Sequence, residues 1–486
     1  MSRNRIFTYY CRKTSQLTGL KAKYNHYYRL ILSALKGEEH DYTTINLRTA
    51  VLLLSIPMML ELALESVFAV VDIYFVNRIG VHAVSVVGLT ESVITLVYSV
   101  GIGMSSAATA LVARRTGEKH LDAASHAGAQ AIILGMVSSF LLGIPGFFYA
   151  EEILALMGAE PEAIKQGVIY TQLLFASSVS IILLFLINGI FRGAGDASIA
   201  MKSLWLANAC NIILDPLLIF GLIYLPEMGI KGAAIATVIG RTLGVLYQFY
   251  HLWRSSGILK MQWHHFKPDA AIIKSLITIA SPATFQFIIA SASWIFLASI
   301  VAKYGSAASA GYQTAIRLVV FFILPAWGMS NAVATLTGQN LGAGNPERAE
   351  ESVSITITYN VSFMAMVTLL FLFFARPLIG FFIPPGEIAQ TDFAVLSLQI
   401  ICTGYIFYGV GMVITQAFNG AGDTKTPTVV YFIGFWLFQI PLAYIMHRFS
   451  GLGFTGVVIA VPVAETLMTL MIWYRFRKGT WKNTKI

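Results

Sequence analysis

Long apolar runs alternate with short polar breaks along this chain, and the runs fall into two sets of six. Reading each run between its breaks predicts helices over 49–77, 84–112, 124–149, 166–190, 198–224 and 231–253. A second set follows over 275–302, 308–336, 350–375, 393–418, 426–447 and 455–475. About twenty apolar residues suffice to cross a bilayer as a helix. Spans of a β-barrel are shorter and alternate apolar with polar positions, and these runs do not. The predicted fold class is an all-α integral membrane protein with twelve transmembrane helices in two pseudo-symmetric six-helix bundles.

The second set repeats the first. Pro57, Gly80, Gly103, Gly117 and Ala124 have identical partners 225 residues later at Pro282, Gly305, Gly328, Gly342 and Ala349. Gly193-Ala-Gly-Asp196 returns as Gly420-Ala-Gly-Asp423. Each half holds six spans, an even number, so the halves share one orientation and their pseudo-two-fold axis is expected along the membrane normal. The expected division is an N-terminal tail over 1–46, a first lobe over 47–253, a linker over 254–274, a second lobe over 275–478 and a C-terminal tail over 479–486.

Composition supports this picture. Of 486 residues 56% are hydrophobic and 12% charged, too few charges to cover a soluble protein of this size. The formal charge of +9 is not gathered into a nucleic-acid-binding face. Bases crowd the N-terminal segment, the breaks after the even-numbered spans (Arg114, Arg115, Arg192, Lys202, Lys260, Arg348, Lys425) and the C-terminal tail. The break after the third span is acidic (Glu151, Glu152, Glu160, Glu162). This asymmetry predicts a multi-pass protein of the cell inner (plasma) membrane with both termini cytoplasmic. The first 46 residues lack the apolar core of a signal peptide and read as a cytoplasmic tail, helical around Tyr28–Leu35. Cys11, Cys210 and Cys402 show no disulfide or metal spacing, and the last two read as packing. His264 and His265 in the linker lack further ligands at metal spacing and read as a solvated loop. Gly101-x-Gly103 lies inside an apolar run and reads as helix packing, and no Walker loop is visible.

Acids inside apolar runs need a reason, because each costs about 2.5–3.5 kcal/mol at mid-membrane. The first span carries Glu61, Glu65 and Asp72, whose spacings of four and seven place them on one helical face. The fifth carries Asn211 and Asp215, again on one face. Both spans run the same way, and both aspartates lie about two turns from the outer end, so they are expected at matching depth across one cavity. Their repeat positions hold Leu297 and apolar sequence near Leu442, so the ion chemistry is expected in one lobe. Two nearby carboxylates in a low-dielectric cavity need a proton or a Na+ between them. Asn211 and Thr237 offer oxygens for a Na+ shell. The plainer alternative is that Asp215 supports a kink at Pro216 and Asp72 makes an interhelical hydrogen bond. Prolines in or beside the spans permit bends, which can be hinges or static.

Pro57 followed by Asp72-Ile-Tyr-Phe-Val-Asn-Arg-Ile-Gly80 resembles the opening span of multidrug and toxic compound extrusion (MATE) antiporters. Phe191-Arg-Gly-Ala-Gly-Asp196, Asn211-Ile-Ile-Leu-Asp-Pro-Leu-Leu-Ile-Phe-Gly221, Gly232-Ala-Ala-Ile-Ala-Thr237 and Gly338-Gln-Asn-Leu-Gly-Ala-Gly344 are similar to it in order. The resemblance covers about 46–478 and is nearest to the DinF-like branch. It implies an efflux pump, with no enzyme activity and no cofactor beyond the coupling ion H+ or Na+, whose two bundles alternate between outward-facing and inward-facing states. It also implies ion coupling at Asp72, with Asp215, Asn211 and Thr237 in the same polar cluster. Substrate contacts are implied at Glu65, Tyr170, Asn188 and Asn211, and a hinge at Pro57. The expected partners are a small organic substrate and the bilayer, in a monomer.

The chain departs from the NorM-like branch, whose seventh span carries an acid: here it has Gln286, Ser291 and Ser293, so no second-lobe Na+ site is expected. Arg241 lies one turn beyond Thr237, where it would pair with Glu65 or Asp215 or select substrates with a negative group. Its repeat partner is Glu465, which is a candidate partner for Arg317. The leading function is a secondary-active antiporter exporting amphipathic organic compounds. The alternative is a flippase for a lipid-linked precursor, which the cations Arg241 and Arg317 would suit. An enzyme would need a clustered nucleophile and base, and none is apparent.

Overall fold

The computed structural model describes residues 28–76, 78–222, 226–254 and 257–486. The part of the N-terminal segment that holds Cys11 lies outside them. Among the described residues ten helices are long and apolar enough to cross a membrane singly, and two bent helix pairs bring the number of spans to twelve. In order the first six are Leu47–Val76, Val81–Gly117, Leu121–Phe148, the pair Pro161–Ala176 with Ser178–Ala194, Ala197–Ile219 and Ile230–Arg254. The second six are Ala270–Val301, Ser306–Gly342, Pro346–Gly380, the pair Ile388–Cys402 with Tyr405–Ala421, a composite Lys425–Phe449, and Gly453–Arg477.

The bends sit at equivalent places in the two halves, in the fourth span at 41° and in the tenth at 55°. Each bend holds a hydroxyl bonded back into its own turn. Ser177 Oγ donates to the Leu174 carbonyl at 2.8 Å and Thr403 Oγ1 to the Ile400 carbonyl at 2.7 Å. A hydroxyl that takes a carbonyl inside a helix competes with the backbone ladder and lets the axis turn.

The Gly-Ala-Gly-Asp repeats are turns. Gly195 and Gly422 adopt φ of 97° and 89°, the left-handed conformation that ends a helix without a Cβ penalty. The next N–H reaches back in each case, Asp196 to the Phe191 carbonyl at 2.9 Å and Asp423 to the Phe418 carbonyl at 3.0 Å. Asp196 then caps the fifth span by accepting from the Ile199 N–H at 3.3 Å, and Asp423 accepts from the Thr426 N–H at 3.2 Å.

Repeat-related glycines also form the contact between lobes. A Cβ on Gly117 would lie 2.0 Å from the Gln339 carbonyl oxygen, and one on Gly342 would lie 2.2 Å from that of Arg114. Gln339 is the repeat partner of Arg114, so these two contacts are images of each other. Gly103 abuts Thr284 and Ala280 of the seventh span, and Gly328 abuts Met58 and Met59 of the first. Small residues let backbones approach where lipid offers no hydrophobic drive. Gly80 and Gly305, at the opposite ends of the second and eighth spans, have nothing within 4 Å of a Cβ position. The lobes are therefore joined tightly at the end where the second and eighth spans finish, here the terminal face.

Residues 28–46, the C-terminal residues and the linker pack onto that face. A helix covers residues 28–36, Tyr42 is buried, and Arg348 donates to the carbonyls of Tyr42 and Ile45. Trp481 is fully buried, and Arg114 donates to the Thr484 carbonyl at 3.1 Å. The linker differs from the solvated loop expected of it. Residues Trp263–Phe266 form a 3-10 turn, His265 is 2% exposed, and Gln130 of the third span donates to the carbonyls of His265 and Lys267 at 2.7 and 2.8 Å.

Candidate functional site

Asp72 and Asp215 each lie four residues before the end of their helix, at Val76 and Ile219. Their depth is matched, though about one turn from the end rather than two. The two carboxyl groups come within hydrogen-bonding reach of each other. Asp215 is fully buried, and its Oδ1 has no donor among the described residues. Two acceptors in contact with one oxygen unpartnered call for a proton or a cation between them.

The orientation of Asn211 bears on which occupant suits the pair. Thr237 presents its backbone N–H and its hydroxyl to the Asn211 side chain. The amide satisfies both neighbours when its oxygen accepts from Thr237 N and Oγ1 at 3.0 Å each and its nitrogen donates to Asp215 Oδ2 at 2.6 Å. Asn211 then offers Asp215 a donor, not an oxygen ligand. A hard cation needs oxygens, so Asn211 fits a Na+ shell poorly and a protonatable pair well.

Around the pair, Tyr170 is buried within electrostatic reach of Asp72. Glu65 accepts from Asn208 Nδ2 at 2.8 Å. Arg241 donates to the Tyr98 hydroxyl, stands 5.1 Å over that ring, and acts through space on Asp72 and Glu65. It makes no ion pair within 4 Å among the described residues. Pro57 lies inside an unbroken helix, one residue before the Met58 carbonyl that abuts Gly328.

Asn188 sits apart from this cluster, with a second one. It donates to Glu61 Oε1 at 3.0 Å and accepts from Ser203 Oγ at 2.9 Å and from Gln248 Nε2 at 2.6 Å. Arg192 Nη1 lies 3.6 Å from Glu61 Oε1, and its Nη2 donates to Ser105 Oγ at 2.9 Å. Glu61 is 2% exposed, and its Oε2 has no partner among the described residues. Glu61 and Arg192 line an interlobe cavity of about 70 Å³, walled on the other side by Gln286, Trp327, Asn331 and Gln416. That is room for a few waters.

Arg317 and Glu465 fall differently from expectation, and Glu91 joins them. Arg317 is not beside Glu465. It acts on Glu91 of the second span, which also feels Asp72 and Arg241. Glu465 is buried in the second lobe near Tyr408 and Tyr431. The intramembrane-acid rule that marks Asp72 marks Glu91 equally. At comparable depth in the second lobe Ser293 donates to Gln439 at 3.0 Å, a neutral contact.

At the terminal face Asp122, His264 and His265 bring one possible ligand atom each within 4.8 Å. His265 Nδ1 accepts the Gln262 N–H at 3.1 Å, so the neutral ring carries its proton on Nε2, 2.9 Å from Asp122 Oδ1. That nitrogen has no lone pair for a metal. The cluster fastens the linker.

The MatE family model matches residues 57–217 and 282–445, two-thirds of the chain. The chain belongs to the MatE family. Among curated MatE relatives it is 26% identical over 435 residues to the probable multidrug resistance protein YoeA of Bacillus subtilis (strain 168), covering 89% of this chain and 93% of that one. It is 26% identical over 448 residues to the probable multidrug resistance protein NorM of Thermotoga maritima, covering 90% and 94%. A solved structure described as an outward-facing conformation of a multidrug resistance MATE family transporter of the MOP superfamily superposes with a TM-score of 0.85. Its identity is 24%, with 91% of this chain and 98% of that chain covered. The MatE fold is thus shared over both lobes.

Proposed function

We propose that this MatE transporter is a secondary-active antiporter that exports amphipathic organic compounds in exchange for H+ by alternating access. The terminal face is cytoplasmic in this reading, in the inner membrane, as the distribution of bases favours. One observation carries the mechanism: Asp72 and Asp215 touch, with an oxygen left over, in one lobe only of a duplicated scaffold. A proton shared by the pair holds the first and fifth spans together, and its loss places two like charges in contact. Substrate and proton therefore favour different arrangements of one lobe, which is what exchange requires. The names of the relatives support drug-like cargo, and Glu65, Tyr170 and Arg241 supply a polar and aromatic lining for it.

The test uses purified protein in liposomes loaded with a fluorescent organic cation, with a pH or a Na+ gradient imposed separately. The pH gradient is expected to accelerate efflux, and Asp72→Asn is expected to reduce it to the leak of empty liposomes while the protein remains monodisperse. Efflux by Asp72→Asn at the wild-type rate would overturn the assignment. Acceleration by Na+ alone would overturn the choice of ion, and no acceleration by either gradient would favour a flippase.

A further inference from the structure

We infer that the eleventh and twelfth spans hold a binding site for an anionic phospholipid at the terminal face. The start of one span and the end of the other border a cavity of about 420 Å³. Its mouth is set by Lys425, Arg475 and Lys478. One and two turns further in, the eleventh span contributes Val429 and Ile433, and the twelfth contributes Met471, one turn from Arg475. The lining thus changes from cationic to apolar with depth, as a phospholipid changes from phosphate to acyl chain.

Asp423 lies beside the mouth, bonded to Thr426 and lining a neighbouring cavity with Lys425, but among the described residues it makes no ion pair within 4 Å, and three cations face this groove. No carboxylate lines the cavity, and the ion pairs among the described residues are made by other cations. Lys478 Nζ stands 4.5 Å from the centroid of the Tyr474 ring, which orients it towards the same groove. Tyr474 and Val429 are 59% and 53% exposed, so the groove opens sideways, where lipid surrounds a membrane protein. The eleventh span is π-helical over Phe432–Gln439, a wider turn often found at functional positions, and it begins at the deep end of the cavity. Basic pockets between spans suit anionic headgroups. The apolar depth selects a lipid over free phosphate, which would leave that wall bare. The site is remote from Asp72 and Asp215, so it does not depend on the coupling mechanism.

Native mass spectrometry of the full chain, exposed to equal amounts of phosphatidylglycerol and phosphatidylcholine, tests this. Retention of phosphatidylglycerol is expected to exceed that of phosphatidylcholine by about tenfold or more, since each of the three cations near a headgroup contributes a few-fold and the factors multiply. The triple variant Lys425→Gln, Arg475→Gln, Lys478→Gln is expected to lose that preference. Val429→Trp, which fills the apolar part and leaves the cations, is expected to reduce phosphatidylglycerol retention by itself, and it decides the matter if the triple variant misfolds. Equal retention of both lipids by the wild type, an unchanged preference in the variants, or displacement of phosphatidylglycerol by equimolar inorganic phosphate would each overturn the proposal.

Discussion

Glu61 and Arg192 neutralise each other in a place neither would occupy alone. Their side chains are 3% and 12% exposed at 3.6 Å separation. Removing one partner of a buried pair leaves an unpaired charge and typically costs about 3–5 kcal/mol, whereas removing both costs far less. Glu61→Gln is therefore expected to lower the thermal unfolding midpoint markedly, and Glu61→Gln with Arg192→Gln to restore most of it. Equal loss in the single and double variants would show that Arg192 is not what Glu61 neutralises. Asp41, outside the spans, gives a milder pH effect. Partial burial pushes its carboxyl up, but hydrogen bonds from Lys119 Nζ and Thr43 outweigh this and hold it below the usual range. Its contribution is present above the unfolded carboxylate pKa of about 3.9 and is lost as pH falls further. The pair with Lys119 is exposed, so the effect is under about 1 kcal/mol. Amide protection relative to the intrinsic exchange rate is expected to fall across residues 38–46 below pH 4 in the wild type, and Asp41→Asn to show that lower protection already at pH 7. Asp72 and Asp215 were legible in the sequence because an acid in an apolar run stands out and helical spacing fixes its face. Arg192 was not, because it precedes a glycine-rich turn and reads as a loop base, although the helix continues to Ala194. Glu91 carries the same signal as Asp72, but its neighbour Arg317 belongs to the other lobe, and periodicity within one helix cannot pair lobes.

The elements meet through glycine. Gly117→Ala places a Cβ 2.0 Å from the Gln339 carbonyl, and Gly342→Ala places one 2.2 Å from that of Arg114. Backbone cannot yield as a side-chain tip does, so each is expected to cost about 1–3 kcal/mol and to loosen the terminal face. Faster amide exchange over 111–118 and 335–342 would register it, with Gly88→Ala, which meets nothing within 4 Å, as the silent control. Matched effects at 117 and 342 are required by the pseudo-symmetry, and a large effect at one alone would contradict it. The repeat that specifies this interface is plain in the sequence, since identical glycines recur at one offset. The bends in the fourth and tenth spans were not, because an unbroken apolar run looks the same whether the helix inside it is straight or bent. Helix ends were also under-read: the second span reaches Gly117 beyond its apolar run, since Arg114 and Arg115 remain helical.

At the scale of the molecule, one lobe holds the protonatable pair while both lobes hold the closure. The terminal face is shut by backbone contacts that involve neither aspartate, so protonation can influence it only by changing how the first span sits against the fifth. The first span is the link, since it carries Asp72 near one end and, through Met58 beside Pro57, touches Gly328 of the other lobe. On the proposed mechanism, a proton shared by Asp72 and Asp215 favours the arrangement described here, and its removal opposes it. A differential of 1.4 kcal/mol shifts the populations tenfold. Spin labels at His82 and Ser306, on the first turns of the second and eighth spans, report the separation of the lobes at the end opposite the clamp, once the native cysteines are replaced by serine. Their distance distribution is expected to move between pH 5.5 and pH 8.5, with the acidic form holding the present arrangement. In Asp72→Asn, where one carboxylate is permanently neutral, the distribution is expected to stay in the acidic form at both pH values. A wild-type distribution indifferent to pH would break the connection between the aspartates and the lobes, whatever their local contact.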